Sequence, residues 1–204
     1  MSSKSQDGLV RCPWAGDDIE YRRYHDVEWG VPLTTDTALF EKLVLEGFQA
    51  GLSWLTILRR RETFRRAFAH FNPERIADFG KRDVERLMKD EGIIRNRAKI
   101  EATIDNAKAY AKLSERTSLK AFLWGFLDKG PVQNRHKTMS DIPAQTDTSK
   151  RISKALKAEG FRFVGPTTMY AFMQSAGMVN DHLVSCHRYA PCAKLQLAKV
   201  KLGR

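Results

Sequence analysis

The sequence predicts an all-α fold, a bundle of helices around one hydrophobic core. Apolar residues recur every three or four positions through most of the chain, and no segment alternates apolar and polar residues over a strand's length. Residues that start and stop helices stand at the ends of these periodic segments. The chain has 204 residues, 42% of them hydrophobic and 10% aromatic, which is enough for a sizeable core.

In the first half of the chain, three predicted helices follow a residue that can cap them. The first begins at Thr35-Asp36, and its apolar positions are Leu39, Phe40, Leu43, Val44 and Phe48. Gly51-Leu52-Ser53 interrupts this pattern, and Ser53 caps a second helix whose apolar positions are Ile57, Leu58, Phe64 and Phe68. Asn72-Pro73 has the residues of an N-cap and a first helical position. A short helix through Val84 and Leu87 then meets Gly92.

The second half continues the helical pattern around one predicted loop. A helix is predicted from about 97 to 113, and Thr117-Ser118 opens the next, with the apolar residues Leu119, Phe122, Leu123 and Phe126. Residues 129–148 hold a glycine, two prolines and many polar residues, so they predict a long loop, to which no role is assigned. Helices follow at 149–159 and from Pro166 to about Gly177.

The predicted domain organisation is a single domain of two helical lobes at 11–192, with a flexible leader at 1–10 and a basic tail at 193–204. The leader lacks the apolar stretch of a secretory signal. No apolar run approaches the roughly 18 residues that a membrane span requires. We expect a monomeric, cytoplasmic protein that does not associate with a membrane.

The charge composition favours a polyanionic partner. The chain has 35 Lys and Arg against 24 Asp and Glu, a formal net charge of +11. Clustered cations gain affinity for nucleic acid by releasing its condensed counterions, so nucleic acid is favoured over a membrane. A basic surface without a binding function is the alternative.

Metal-ligating residues occur near both ends of the chain. His182 and Cys186 stand four residues apart, a spacing that suits two ligands of a tetrahedral metal. Cys12 and His25 can complete a Cys2His2 set, and mixed thiolate and imidazole ligands select zinc. Four protein ligands leave no open coordination position, so such a site is structural and joins the terminal segments.

The same cysteines and histidines are open to a simpler interpretation. The spacing of His182 and Cys186 is also typical of ordinary residues at a helix end. Cys192 and His187 are rival ligands that spacing does not exclude. An odd number of cysteines, three, without a secretion signal argues against a disulfide framework.

A single carboxylate stands in an apolar helix, with aromatic residues in nearby segments. Glu46 lies between Leu45 and Gly47, where an isolated carboxylate costs free energy unless it is hydrogen-bonded or faces a cavity. The aromatic residues that can wall such a cavity are Trp14, Tyr21, Tyr24, Trp29 and Trp54. An enzyme that acts on a DNA base can flip the base out of the duplex and hold it between aromatic faces. A hydrogen-bond acceptor then recognises the exocyclic amine of the base. Alternatively the rings are core residues and Glu46 is exposed or paired with an arginine.

A glycine turn between two helical segments carries several cations. Gly92 can take a positive φ, and free N–H groups at the start of the next helix can hold a phosphate. With Arg95 and Arg97 this is the pattern of a helix-hairpin-helix DNA anchor, though without the usual two glycines, and a plain helix–helix turn has the same residues. A denser basic run at 59–66 is either a solvated helix face or part of a DNA-binding surface.

Together these segments resemble the DNA-3-methyladenine glycosylase I family of the helix-hairpin-helix superfamily. The matching stretches are 11–14, 24–32, 45–54, 92–95, 163–167 and 179–182. They extend over nearly the whole chain, and the second and third are the most specific. The resemblance implies that 11–192 is one glycosylase domain.

The resemblance also implies a fold and a set of site residues. The fold is a helix-hairpin-helix glycosylase-like bundle with one structural zinc ion, bound by Cys12, His25, His182 and Cys186. Glu46 is the catalytic-site carboxylate that hydrogen-bonds the excised base, Tyr24 and Trp54 bracket that base, and the pocket is completed by Tyr21, Trp14 and Trp29. Gly51 and Leu52 form the wedge that fills the gap left by a flipped nucleotide.

The reaction is implied in the same way. We expect hydrolysis of the N-glycosidic bond of 3-methyladenine in double-stranded DNA, which releases the base and leaves an abasic site. The superfamily's usual catalytic aspartate is not expected, and no lysine stands inside the motifs as a Schiff-base nucleophile, so we expect no lyase activity.

Two other classes of protein compete with this hypothesis. A non-enzymatic zinc-containing DNA-binding regulator accounts for the charge and the ligands but has no use for a carboxylate among aromatics. A zinc nucleobase deaminase requires H-x-E with P-C-x-x-C. Here Asp26-Val27-Glu28 follows His25, and no second cysteine follows Cys192, so a deaminase is disfavoured.

Overall fold

The computed structural model describes residues 7–201, and their regular structure is almost entirely helical. In chain order the α-helices are α1 Ile19–Val27, α2 Asp36–Gln49, α3 Trp54–Ala67, α4 Pro73–Ala77, α5 Lys81–Lys89, α6 Arg97–Ser114, α7 Leu119–Trp124, α8 Asp147–Ala158, α9 Pro166–Ser175 and α10 Tyr189–Lys201. Short 3-10 helices lie at Pro13–Ala15, Ala69–Phe71 and Met139–Asp141. The predicted helical fold is confirmed. Residues 1–6 of the predicted leader and 202–204 of the predicted tail lie outside the described residues.

Several helices begin at the residues that the sequence predicts. The side chain of Thr35 accepts a hydrogen bond from the Ala38 N–H at the start of α2. Three further caps of this kind precede α3, α4 and α7, at Ser53, Asn72 and Ser118. Each cap satisfies a backbone donor that has no partner inside its helix, which stabilises the first turn by about 1 kcal/mol.

Two short strands correct the prediction that the chain has none. β1 (Val132–Gln133) and β2 (Val179–Asn180) pair in parallel, with Val132 opposite Val179. Strands of two residues are too short to show the alternation that identifies strands in a sequence. They attach the segment before α8 to the segment after α9.

Three helix boundaries also differ from the sequence pattern. α1 lies where only an aromatic cluster is apparent in the sequence, and it begins after the cap Asp18, whose side chain accepts from the Tyr21 N–H. α8 begins at Asp147 after the cap Thr146, two residues before the predicted start. α10 continues past 192, the predicted end of the domain, into the predicted basic tail at 193–204, and its Gln196 is buried and donates to the carbonyl of Gly30 at 2.9 Å.

The core is built around α2, which packs against α3, α6, α7 and α9. Most of its residues from Leu39 to Phe48 are buried, as expected for a helix surrounded by others. Phe48 makes an edge-to-face contact with Phe64 on α3, with ring centroids 4.8 Å apart. The side chain of Glu46, in the middle of α2, is therefore held inside the protein. Across residues 7–201, no helix has both the length and the apolar character needed to cross a membrane.

Candidate active site and metal centre

The structure brings the carboxylate and all five aromatic residues singled out in the sequence to one cavity of about 370 Å³. These lining residues are Trp14, Tyr21, Tyr24, Trp29, Glu46 and Trp54. They come from the segment before α1, from α1 and its C-terminal end, from α2 and from the first residue of α3. A set of residues spread over about forty positions of sequence thus forms one compact wall.

The aromatic residues contact one another around this cavity. Trp14 lies edge-on to Trp29, with centroids 5.0 Å apart, and is tilted against Tyr21 at 5.1 Å. The rings of Tyr24 and Trp54 are 5.4 Å apart and inclined at 42°. Because those two rings already touch, a base bound in this conformation lies against them, and lying between them requires the rings to separate.

Glu46 is buried, with 4% of its surface exposed, and lies in the wall of the cavity. The hydroxyl of Ser175 on α9 donates to its Oε1 at 2.7 Å. Burial raises the pKa of Glu46 to about 7, although the charge of Lys42 and the Ser175 hydrogen bond favour the ionised form. Burial therefore favours the neutral carboxyl group more than water does.

Lys42, one turn before Glu46 on α2, is a buried cation that the sequence motifs do not include. Its Nζ lies 5.0 Å from the ring centroid of Tyr24 and 4.9 Å from that of Trp54, and it donates to the Tyr24 hydroxyl at 3.4 Å. Burial lowers the pKa of Lys42, while the charge of Glu46 raises it. The i, i+4 spacing from Glu46 in an otherwise apolar helix is the sequence signal that identifies it.

The rest of the cavity lining consists of residues to which no role in the site is assigned from the sequence. Its members from the segment between α7 and α8 are Met139, Ile142, Pro143 and Ala144, and those from α2 and α9 are Gln49, Thr167, Tyr170, Ala171 and Gln174. The segment between α7 and α8 carries no sequence motif, so only the structure shows that it lines the cavity. The α9 residues recur at three- and four-residue intervals, a pattern that indicates a shared helix face.

The four predicted metal ligands converge on one point. One ligand atom from each of Cys12, His25, His182 and Cys186 lies within 4.8 Å of the others, and all four residues are buried. The Sγ of Cys186 is 3.5 Å from Nε2 of His25 and 3.6 Å from Nδ1 of His182. The side chain of Cys12 and the two imidazoles lower the pKa of the Cys186 thiol. Two sulfurs and two imidazole nitrogens arranged in this way can bind a metal ion.

Both imidazoles are oriented by an acceptor on their outer side. His25 places Nδ1 2.7 Å from a carboxylate oxygen of Asp26, and His182 places Nε2 3.2 Å from the carbonyl of Trp29. An acceptor on one ring nitrogen leaves the other nitrogen unprotonated and directed at the cluster, which is how metal-binding histidines are held.

The two rival ligands lie outside this cluster. Cys192 is buried, but its thiol donates to the carbonyl of Gly30 at 3.0 Å. His187 has Nδ1 3.1 Å from the carbonyl of Val10 and Nε2 3.4 Å from Asp26. Each side chain is thus engaged elsewhere, and neither joins the four-residue group.

The predicted wedge is an exposed turn between α2 and α3. Gly51 has a φ of +82°, which favours glycine, and Leu52 is 41% exposed. The buried ammonium of Lys99, from the first turn of α6, donates to the carbonyls of Phe48 and Ala50 at 2.9 and 2.6 Å. This cation satisfies carbonyls at the C-terminal end of α2 and fixes the turn that follows.

Gly92 lies in the predicted turn between two helices but does not take the positive φ that glycine allows there. Its φ is not positive, and an added Cβ would overlap the methyl group of Thr63 on α3. Its N–H donates to the Asp90 carboxylate at 2.8 Å. The glycine is therefore required for close packing between α3 and this turn. Arg95 and Arg97 lie on the exposed side of the turn.

The arginine run of α3 is largely engaged within the protein. Arg61 makes an ion pair with Glu28, Arg65 pairs with Glu41 at 2.7 Å, and Arg59 pairs with Asp18 at 2.5 Å. These contacts tie α3 to α1 and α2. The sequence indicates either a solvated helix face or a DNA-binding surface for this run, and neither interpretation includes these ion pairs within the protein.

The chain is similar to known proteins over most of its length. Residues 14–189 match the family model of methyladenine glycosylase. The chain is 48% identical to DNA-3-methyladenine glycosylase 1 of Escherichia coli (strain K12), covering 89% of this chain and 97% of that protein. It is 47% identical to DNA-3-methyladenine glycosylase of Haemophilus influenzae (strain ATCC 51907 / DSM 11121 / KW20 / Rd), covering 90% and 97%.

A solved structure has the same fold. It is a variant of 3-methyladenine DNA glycosylase I in complex with 3-methyladenine, with a TM-score of 0.84 and 38% identity, covering 88% of this chain and 97% of that one. The extent of these matches leaves the family in no doubt. This chain belongs to the methyladenine glycosylase family.

Proposed function

We propose that this protein excises 3-methyladenine from alkylated DNA by hydrolysing the N-glycosidic bond, leaving an abasic site. The observation that carries the proposal is Glu46, a buried carboxylate in the wall of an aromatic cavity of about 370 Å³. The family relationship supports the same activity, since two relatives are named as 3-methyladenine glycosylases and a solved relative binds 3-methyladenine.

The cavity suits a cationic purine. Methylation at N3 gives adenine in DNA a positive charge, which the faces of Trp and Tyr rings attract more strongly than neutral adenine. Glu46, when ionised, adds a full negative charge in a site of low polarity and accepts a hydrogen bond from the exocyclic amine. Normal adenine lacks the charge and gains much less from the same groups.

The reaction follows from binding the base in this form. The C1′–N9 bond breaks with its electron pair moving to the purine, which leaves as neutral 3-methyladenine. Water adds to the oxocarbenium-like C1′ and loses a proton to solvent, so the sugar gains a hydroxyl. Because methylation has already activated the leaving group, Glu46 acts by holding the base and stabilising the positive charge during cleavage.

Duplex DNA is the proposed partner. Leu52 on its exposed turn has the size and apolar character of a plug for the gap left by an extruded nucleotide. Gly51 gives this turn its conformation, and the helix–turn–helix around Gly92, with Arg95 and Arg97, is proposed as the helix-hairpin-helix anchor on the backbone phosphates. The net charge of +11 supports this partner. A monomeric and cytoplasmic protein stays a prediction from the sequence.

Zinc is the proposed metal of the Cys2His2 cluster. Two thiols and two imidazoles with converging ligand atoms within 4.8 Å suit zinc better than a cation that prefers oxygen ligands. With Cys12, His25, His182 and Cys186 all bound, no coordination position is left for a substrate. The ion would supply structural stability by joining the segment before α1 to the segment after β2.

We propose no lyase activity. The ammonium of Lys42, which contacts the aromatic wall, donates to the Tyr24 hydroxyl and lies over two ring faces. Among the described residues, the cavity lining includes no lysine. A Schiff base with C1′ requires a lysine nitrogen that reaches into the cavity.

The test is to incubate the purified protein with methylated duplex DNA and to identify the released bases by chromatography. We expect free 3-methyladenine and intact strands that break only after alkaline treatment. Strand breaks without alkali would contradict a monofunctional enzyme. Sequence-specific binding without base release would instead point to a DNA-binding regulator.

A further inference from the structure

A second buried carboxylate, Asp181, organises the wall of the cavity formed by α9. It is 1% exposed and accepts hydrogen bonds on both oxygens. Its Oδ2 accepts from the Tyr170 hydroxyl at 2.6 Å and from Nε2 of Gln174 at 2.8 Å, and its Oδ1 accepts from Nδ2 of Asn134 at 2.7 Å. Tyr170 and Gln174 both line the cavity that contains Glu46.

These contacts determine which way the Gln174 amide points. A carboxylate accepts hydrogen bonds and donates none, so the amide nitrogen of Gln174 must be the atom that faces Asp181. The amide oxygen is then directed away from Asp181. Because Gln174 lines the cavity, we infer that this oxygen is presented there as a hydrogen-bond acceptor. The next residue, Ser175, donates to Glu46 at 2.7 Å, so α9 and Glu46 lie against each other at this point.

An acceptor with a fixed orientation distinguishes the two purines. Adenine carries an amine at position 6, which donates two hydrogens, whereas guanine carries an oxygen there, which only accepts. Glu46 can take one hydrogen of the amine and the Gln174 oxygen the other. A guanine oxygen would face two acceptors and leave all of them unpaired, which is strongly unfavourable in a buried site.

We propose that Gln174 is a specificity-determining residue that selects 3-methyladenine over 3-methylguanine, and that Asp181 is the positioning residue that orients it. The proposal rests on the glycosylase function proposed above. Both methylated purines carry the positive charge that the aromatic rings attract, so ring stacking and Glu46 alone distinguish them less well.

The experiment measures initial rates of release of both bases from one sample of methylated duplex DNA. Gln174→Met preserves the length of the side chain and removes the amide. We expect release of 3-methyladenine to fall about tenfold, the effect of one buried hydrogen bond, and release of 3-methylguanine to rise, because one of the two acceptors that oppose its oxygen is gone. The ratio of the two rates then falls by more than about tenfold. Asp181→Asn, whose own amide can accept or donate, frees the orientation of Gln174 and lowers the same ratio.

Asn134→Ala is the matched control. It removes a donor from the other oxygen of Asp181 and leaves the contact between Asp181 and Gln174 in place. We expect the ratio of the two rates to be retained. An equal loss of selectivity in Asn134→Ala would overturn the proposal, because general disruption of the wall would then account for the effect.

The remaining outcomes separate this proposal from the proposed function. An unchanged rate ratio in Gln174→Met, with a folded variant by circular dichroism, overturns the role of Gln174 alone. Wild-type protein that releases neither base would instead contradict the glycosylase function itself.

Discussion

The Cys2His2 cluster and the Glu46 cavity are neighbours that treat buried polar groups in opposite ways. They share aromatic residues: Trp14 lies 5.0 Å from the ring of His25, and Trp29 lies 4.7 Å from that of His182. In the cluster every ligand atom faces other ligand atoms. In the cavity Glu46 accepts one hydrogen bond from the described residues, that of Ser175, lies near the charge of Lys42 and lines the open space.

This difference indicates that the cluster serves the stability of the fold, whereas the cavity serves binding and chemistry. A buried polar group whose partners are all inside the protein stabilises one arrangement of the chain. A buried carboxylate with few partners costs stability and is ready to bind a ligand of opposite charge. Changes in the cluster should therefore act mainly on folding, and changes in the cavity mainly on activity.

The largest effect is expected for the cluster. Cys12→Ala should abolish stoichiometric zinc binding and lower the free energy of unfolding by about 2–5 kcal/mol, comparable to the loss of a disulfide that joins distant segments. The reason is that Cys12 and Cys186 belong to opposite ends of the chain. Zinc content by atomic spectroscopy and thermal unfolding of the same sample measure both quantities.

Cys192→Ala provides the control for this prediction. Cys192 is equally buried but is engaged with the Gly30 carbonyl, not with the cluster. It should lose some packing and keep its zinc. The comparison fails if Cys12→Ala keeps its zinc or if Cys192→Ala loses it.

The second largest effect is expected in the cavity, where Glu46→Gln should lower the rate of base release. Loss of the negative charge should reduce release of 3-methyladenine about a hundredfold, as for removal of one preorganised electrostatic group. Wild-type release should also fall about tenfold per pH unit below the pKa of about 7, because protonation removes the same charge. The variant should show no such dependence, since the amide that replaces the carboxyl group does not titrate. Rates measured from pH 5 to pH 8 for both proteins provide the comparison.

The same substitution should make the folded protein more stable at alkaline pH. Glu46 has its pKa raised from 4.5 to about 7, so its protonated form is favoured in the folded state. Its contribution to stability is therefore complete below pH 4.5 and is lost as the pH rises through 7, which costs about 3 kcal/mol at pH 8. Glu46→Gln removes this cost at pH 8 and has little effect at pH 4. Equal stability of the two proteins at both pH values would contradict the burial of this carboxylate.

The sequence predicts the ligands of the Cys2His2 cluster and the aromatic part of the Glu46 cavity, but not the rest of the cavity. The ligands of the cluster and the aromatic residues around Glu46 stand in local motifs whose chemistry is visible in the sequence. The loop residues at 139–144 that line the cavity have no such motif, and they follow β1, which pairs with the distant β2. The sequence does not indicate the role of Asp181 for a related reason, because its donors are Asn134, Tyr170 and Gln174, which only the fold brings together.

Gly92 illustrates the same limit at one residue. Its place between two helical segments correctly indicated a turn, and the expected positive φ was wrong. The space for a side chain is taken by Thr63, which lies on a helix almost thirty residues earlier in the sequence. Local patterns predict where the chain turns, whereas close packing depends on distant residues.

The smallest effect on the folded protein is expected at the exposed turn between α2 and α3. Leu52→Ala removes a side chain that is 41% exposed, so the free energy of unfolding should change by less than about 0.5 kcal/mol. Release of 3-methyladenine from duplex DNA should nevertheless fall, by about fivefold, because an extruded nucleotide leaves a gap that alanine does not fill. Single-stranded methylated DNA has no such gap, so its rate should not change.

Ile19→Ala is the control for the loss of an exposed apolar side chain, since Ile19 is 86% exposed and lies outside this turn. It should release 3-methyladenine from both substrates at the wild-type rate. A loss in Leu52→Ala that is equal on duplex and single-stranded DNA would place the defect in the cavity and not in the duplex. Only a loss confined to the duplex assigns Leu52 to the step that precedes base capture, in which the nucleotide leaves the stack before Glu46 can bind its base.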